Sequence, residues 1–261
     1  MTQPILSFQN VKFERRDRTI LDGINWTIQP GQNWASLGLN GAGKTTMLKI
    51  IHGDLWPSSG RVEVLGGLFG HTSIPELTKK IGWISTALQD GLRPGDVVES
   101  IVLSGKFASI GIYQDFTRAD LQEAKAILTE MGGESLIGKT YQVLSQGERQ
   151  LVMISRSLMA HPELMVFDEP CNGLDLFARE ALLERIANIQ ATKNPPTMLF
   201  VSHYTEEILP CFQNVLLLKD GQAFSQGRRE DILTKDSLEK FYNRPIQTTQ
   251  VGAYRIAVYP S

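Results

Sequence analysis

The chain has 261 residues, 42% apolar and 21% charged, with 26 Lys and Arg against 28 Asp and Glu for a net charge of -2. That balance leaves no basic excess for coating nucleic acid or gripping an acidic membrane. No apolar run approaches the ~20 residues a spanning helix needs, and Cys171 and Cys211 form neither a disulfide framework nor a ligand spacing. Residues Met1 to Pro4 show no signal-peptide pattern, so a cytoplasmic globular protein of one large or two intimate domains is expected.

In chain order, Ile5–Phe8, Val11–Phe13 and Ile24–Ile28 are strand-like pieces split by turn and charge signals, and they predict an antiparallel layer. Trp34–Leu37 is near-continuously apolar, which predicts a strand buried on both faces, as in a parallel sheet covered by helices. The next residues, Gly38 to Thr46, match G-x-x-x-x-G-K-[ST] and open a helix with Met47, Leu48 and Ile51 on its inner face. In such a loop the backbone of Gly38, Asn40, Gly41, Ala42 and Gly43 wraps an anion, helped by the partial positive charge of the helix N-terminus. Lys44 is placed to bridge the β- and γ-phosphates of a nucleotide, and the Thr45 hydroxyl to bind Mg²⁺.

Ile81–Ser85 predicts another strand, and residues 87–142 read as a mostly helical insertion. Within it Leu121, Ala124, Leu128 and Met131 repeat at helical spacing after Thr117. Leu164–Phe167 is an apolar strand ending in Asp168 and Glu169, with Pro170 stopping it. A strand delivers its last side chains to the carboxyl edge of the sheet, where phosphate loops also sit. Asp168 would hold Mg²⁺ through water, and Glu169, alternating to the opposite face, would accept a proton from an attacking water. Leu182, Ile186 and Ile189 share a helix face, and Met198–Val201 and Val215–Leu218 are two more buried strands. In the tail, Ile256–Tyr259 is either an edge strand or a loose end. The sum is α/β.

Residues 144–150 read Leu-Ser-Gln-Gly-Glu-Arg-Gln. With the two motifs above, followed by Asn172-Gly173-Leu174-Asp175 and then His203, they resemble the signature order of ABC-type ATPases, over roughly residues 5–235. A looser likeness, carried by Gly82–Leu88 and Ile101–Gly105, is to a ModF-like subgroup. The resemblance implies a P-loop NTPase fold with a mostly parallel core sheet, an N-terminal antiparallel layer and a helical insertion. It divides the chain into an ATP-binding core at 1–86 and 143–240, a helical subdomain at 87–142 followed by the signature, and a tail at 241–261.

It implies ATP and Mg²⁺, and a homodimer or heterodimer closing head to tail, each ATP lying between one phosphate loop and the partner's signature. Ser145, Gln146 and Gly147 would clamp that ATP, with Gln146 standing where Gly is usual. Asp175 would communicate between the paired sites, and it also reads as the cap of the helix starting near Leu176. His203 would touch the γ-phosphate and Thr46 the α-phosphate. Arg15 falls where an aromatic residue usually stacks on adenine, with Phe13 two residues earlier. Thr86 stands where a glutamine usually reaches the metal and would reach Mg²⁺ through a bridging water; the nearest glutamine, Gln89, is the alternative and lies three residues into what is expected to be a flexible loop.

One module per chain implies separate partners. Either the chain energises a membrane permease from the cytoplasmic face, with no nucleic acid involved, or it is a regulatory or repair-type ABC ATPase. A nucleotide-gated module with poor hydrolysis is the other alternative; Glu169 and His203 argue against it and Thr86 for it. A P-loop kinase would lack the signature.

Overall fold

The computed structural model describes residues 3–85, 88–89, 91–192 and 194–261. In chain order its main elements are β1 (Leu6–Arg15), β2 (Arg18–Ile28), β3 (Trp34–Leu37), α1 (Lys44–His52), β4 (Ser59–Val64), β5 (Gly67–Leu68), α2 (Ile74–Thr78) and β6 (Ile81–Ile84). Then come α3 (Val98–Ser104), α4 (Arg118–Glu130), α5 (Gln146–Leu158), β7 (Leu164–Asp168) and α6 (Leu176–Ile189). The chain ends with β8 (Thr197–Ser202), β9 (Asn214–Lys219), β10 (Gln222–Arg228), α7 (Arg229–Ile232), α8 (Lys235–Tyr242), β11 (Ile246–Val251) and β12 (Arg255–Pro260). They gather into two compact units, one up to Thr78 together with Thr197–Ser261, the other Lys79–Pro196.

The first unit holds the antiparallel layer, in the order β2-β1-β4-β5. The two predicted pieces 5–8 and 11–13 are one strand, because the turn signal between them is a bulge. Asn10 takes a left-handed φ of 50°, its N–H donates to Asn25 Oδ1 at 2.9 Å, and pairing resumes at Val11 opposite Ile24. A bulge bends a strand without ending it. Leu6, Phe8, Val11, Leu21, Ile24, Trp26 and Ile28 are buried.

In the same unit β3 lies between β8 and β9, parallel to both, and β10 runs antiparallel to β9. Every residue of β3 and β8 is buried, as their continuous apolar runs predict. Asn33, 1% exposed, sets the register where β3 begins. Its Nδ2 donates to the Cys211 carbonyl at 3.1 Å and its Oδ1 accepts from Met198 N–H at 2.8 Å. A buried amide is tolerated because both ends are paired. The tail stretch around Ile256 is one arm of a hairpin, with Ile246 opposite Pro260 and Val251 opposite Arg255.

In the second unit β6 and β7 pair in parallel, from Ile81 opposite Leu164 to Ile84 opposite Phe167. Helix α4 starts at a capping box: Asp120 N–H donates to Thr117 Oγ1, and Thr117 N–H donates to Asp120 Oδ2. Its predicted stripe buries Ala124 and Leu128. Arg156 of α5 is 7% exposed. Its Nε donates to Ser104 Oγ at 3.2 Å and its Nη2 to the Ser109 carbonyl at 2.9 Å, which ties α5 to the end of α3.

Candidate nucleotide-binding site

Gly38 to Gly43 join β3 to α1 in the first unit. Gly43 caps the helix at φ 104°, and a Cβ there would come within 2.7 Å of Leu21 Cδ2. Only glycine combines that dihedral with that approach. Because Gly43 has no side chain to cap the helix, and the first turn has no acid, the N–H groups and dipole of α1 face outward, as an anion requires. Lys49 lies in the last turn, the favourable end for a cation. The inner face of α1 buries Met47, Leu48, Ile50 and Ile51. Lys44 is 6% exposed, and its Nζ donates to the carbonyls of Gly38 at 2.7 Å and Leu39 at 3.3 Å. The loop closes with Ala42 N–H donating to the Leu39 carbonyl. Asn40, Gly41 and Thr45 are exposed and Thr46 is half-buried.

Also in the first unit, His203 follows β8 and is half-buried, its ring 4.7 Å from that of Tyr204. Ser202 fixes the turn beyond it, its Oγ donating to Glu207 Oε2 at 2.6 Å and accepting from Tyr204 N–H at 3.0 Å. Arg15 ends β1, exposed and opposite Arg18, whereas Phe13 is half-buried opposite Leu21, the residue that Gly43 approaches. If the Arg15 guanidinium stacks on adenine, Arg15→Ala weakens ATP binding by ~3–30-fold and Phe13→Ala leaves it within about twofold. Titration of both variants decides this, and a loss confined to Phe13→Ala would place the contact two residues earlier.

The acids lie in the second unit. β7 ends at Asp168, half-buried. Glu169 lies outside the strand with φ 50°, so strand alternation does not set its direction. A non-glycine residue held in this region stores strain, a habit of functional positions. Its Oε2 accepts from Asn172 Nδ2 at 2.8 Å, a partner whose part no sequence motif marks. Asp175 caps α6, its Oδ1 accepting from Phe177 N–H and Ala178 N–H, each at 2.9 Å. Beside it Leu176 is 59% exposed and Phe177 83%.

Ser145 caps α5 through a capping box. Its Oγ accepts from Glu148 N–H, while Glu148 Oε2 accepts from Ser145 N–H at 2.8 Å. The hydroxyl proton is still available to donate. A Cβ on Gly147 would lie 3.4 Å from Ala178, so the start of α5 packs on the start of α6. Thr86 lies outside the described residues. Gln89 is not the open-loop residue that was expected: it is 6% exposed, and its Oε1 accepts from Gln146 Nε2 at 3.2 Å. The departure from Gly at 146 therefore supplies a side-chain tie that glycine lacks.

Residues 21–172 match the ABC transporter family. The chain is 43% identical over 243 residues to YlmA of Bacillus subtilis, an uncharacterized ABC transporter ATP-binding protein, covering 93% of this chain and 92% of that one. ModF of Escherichia coli is a more distant relative, 32% identical over 85% of this chain and 46% of its own length. A chain of an inward-facing ABC transporter assigned to the metal-chelate type superposes with a TM-score of 0.79 at 25% identity, over 99% of this chain and 98% of that one. The antiparallel layer, mostly parallel core strands and surrounding helices are those of an ABC nucleotide-binding domain. The chain belongs to the ABC transporter family as one of its ATP-binding proteins, an ATPase whose hydrolysis energises transport.

Proposed function

We propose that the chain works as a pair of ATP-binding subunits closing around two ATP molecules, hydrolysing them with Mg²⁺, on the cytoplasmic face of a separate membrane permease. The observation that carries this is the uncapped N-terminus of α1, with Gly43 at φ 104° and Lys44 folded inside the loop. Phosphate oxygens take the place of the Gly38 and Leu39 carbonyls as acceptors for Lys44, and the α1 N–H groups hold them in line. Glu169 accepts the proton of the attacking water, and Asn172 holds one of its oxygens. His203 donates to the γ-phosphate, and Thr46 contacts the α-phosphate. Ser145, Gln146 and Gly147 clamp the ATP of the partner subunit.

The Thr45 hydroxyl and Asp168 carboxylate are hard oxygen donors, the kind Mg²⁺ takes beside phosphate oxygens. When bound, Mg²⁺ neutralises charge on the transferring phosphoryl group. Exposed Leu176 and Phe177, which follow Asp175, give a partner subunit an apolar contact. Among the described residues no helix is long and apolar enough to cross a membrane, which fits a separate permease, as does the likeness to a transporter chain. Light scattering tests the pair. The mass doubles from 29.1 kDa with ATP in EDTA, and excess Mg²⁺ starts hydrolysis and returns the monomer. A monomeric mass with nucleotide bound in every chain would overturn the pairing.

A further inference from the structure

The turn that follows His203 is gripped from outside by the C-terminal hairpin. β12 packs on Thr205–Glu207, and Arg255 Nη1 donates to the Glu206 carbonyl at 3.1 Å. The hairpin is anchored elsewhere. Arg229 Nη1 donates to the Tyr254 carbonyl at 2.6 Å, and Ile246 N–H donates to Glu239 Oε1 at 3.2 Å. It therefore reaches from α7 and α8 to the His203 turn, all within the first unit.

Beside this contact the packing leaves an opening. A cavity of about 340 Å³ separates His203, Tyr204 and Glu206 from Tyr242, Arg244 and Tyr259. Thr205 and Glu207 are buried, but toward this opening side chains do not interdigitate, so polar bonds carry more of the hold on Glu206. On this side a cationic donor on a backbone carbonyl is a directional restraint, and such bonds are the stronger ones. From inside, the turn is held by Ser202 and Glu207. The inner bonds shape the turn, and the outer one ties it to a separate element.

We propose that Arg255 is a positioning residue for hydrolysis: by holding the Glu206 carbonyl it fixes His203, three residues upstream, against the γ-phosphate. This rests on the His203 role proposed above. It gives the hairpin, which lies outside the signature motifs, a part in turnover.

Arg255→Ala should lower kcat about 10-fold, the size of one charge-assisted hydrogen bond, with KM for ATP within about twofold because binding rests on the phosphate loop. Arg255→Gln, whose amide can still donate to a carbonyl, should recover part of the loss. In a His203→Ala background, Arg255→Ala should cost less than about twofold further, since the group it positions is gone. A hairpin that only stabilises the fold would lower the thermal midpoint and multiply the losses in the double variant. Multiplied losses, or full kcat in Arg255→Ala, overturn the proposal while leaving His203 in place. Full turnover in His203→Ala overturns the His203 role, and this inference with it. If Arg255→Ala does not fold, Arg255→Gln and Arg255→Lys carry the same comparison against His203→Ala.

Discussion

Glu169→Gln binds ATP as the wild type does and turns it over ~10²–10⁴ more slowly, the range for loss of a general base. The substitution is a clean probe for local reasons. Gln keeps the length of Glu, and its amide oxygen can still accept from Asn172 Nδ2, now at 2.8 Å from Glu169 Oε2. The φ of 50° is no worse for Gln than for Glu. What disappears is a carboxylate able to take a proton, so the loss falls on kcat. The phosphate loop belongs to the other compact unit and keeps its contacts, so ATP affinity holds. Slow turnover should also preserve the closed pair, and light scattering with ATP and Mg²⁺ should give a lasting dimer mass. Single-turnover hydrolysis and ATP titration separate the two properties. Parallel loss of binding and turnover would remove Glu169 from the base role.

The same residue shows where the sequence is legible and where it is not. The segment from Gly38 to Gly43 is one local turn between a strand and a helix, so its spacing alone marks that turn. The apolar run of β7 equally reveals the strand that carries Asp168. The direction of Glu169 does not follow, because period-two alternation holds only inside a strand and the chain leaves β geometry at that residue. The bulge at Asn10 is a related case, since the same polar residues that end a strand can also kink one.

Long-range ties are invisible to local patterns. Gln146 and Gln89 are 57 residues apart, and Arg255 and Glu206 are 49 apart. No motif joins the two members of either pair, and each depends on the fold to bring a polar group against another. The hairpin partner of β12 was hidden for a different reason. Gln247, Thr248, Thr249 and Gln250 of β11 are all exposed, so no buried face marks the strand. What could be seen was the departure itself, a glutamine in the signature where glycine is usual, and the pairing with Gln89 gives that departure a structural use.

Lys44→Ala weakens ATP binding ~10–100-fold, the equivalent of the ~1.5–3 kcal/mol carried by hydrogen bonds to a charged group. Lys44 is 6% exposed, so its charge is little screened and acts at close range. Without nucleotide, that charge is satisfied by the Gly38 and Leu39 carbonyls at 2.7 and 3.3 Å. In the proposed site, binding exchanges these neutral oxygens for anionic phosphate oxygens, which are better acceptors for an ammonium. Alanine removes the cation and leaves the α1 dipole as the remaining attraction of the loop, worth typically 0.3–1 kcal/mol near a helix end. Lys44→Arg should not rescue binding, because the planar guanidinium is larger than the ammonium the loop encloses. Arginine would retain charge and lose fit, which separates placement from electrostatics. Isothermal titration with ATP in EDTA measures both variants with hydrolysis suppressed. Lys44→Ala binding within about twofold of wild type, with only turnover lost, would move Lys44 from holding the ground state to acting in the transition state alone.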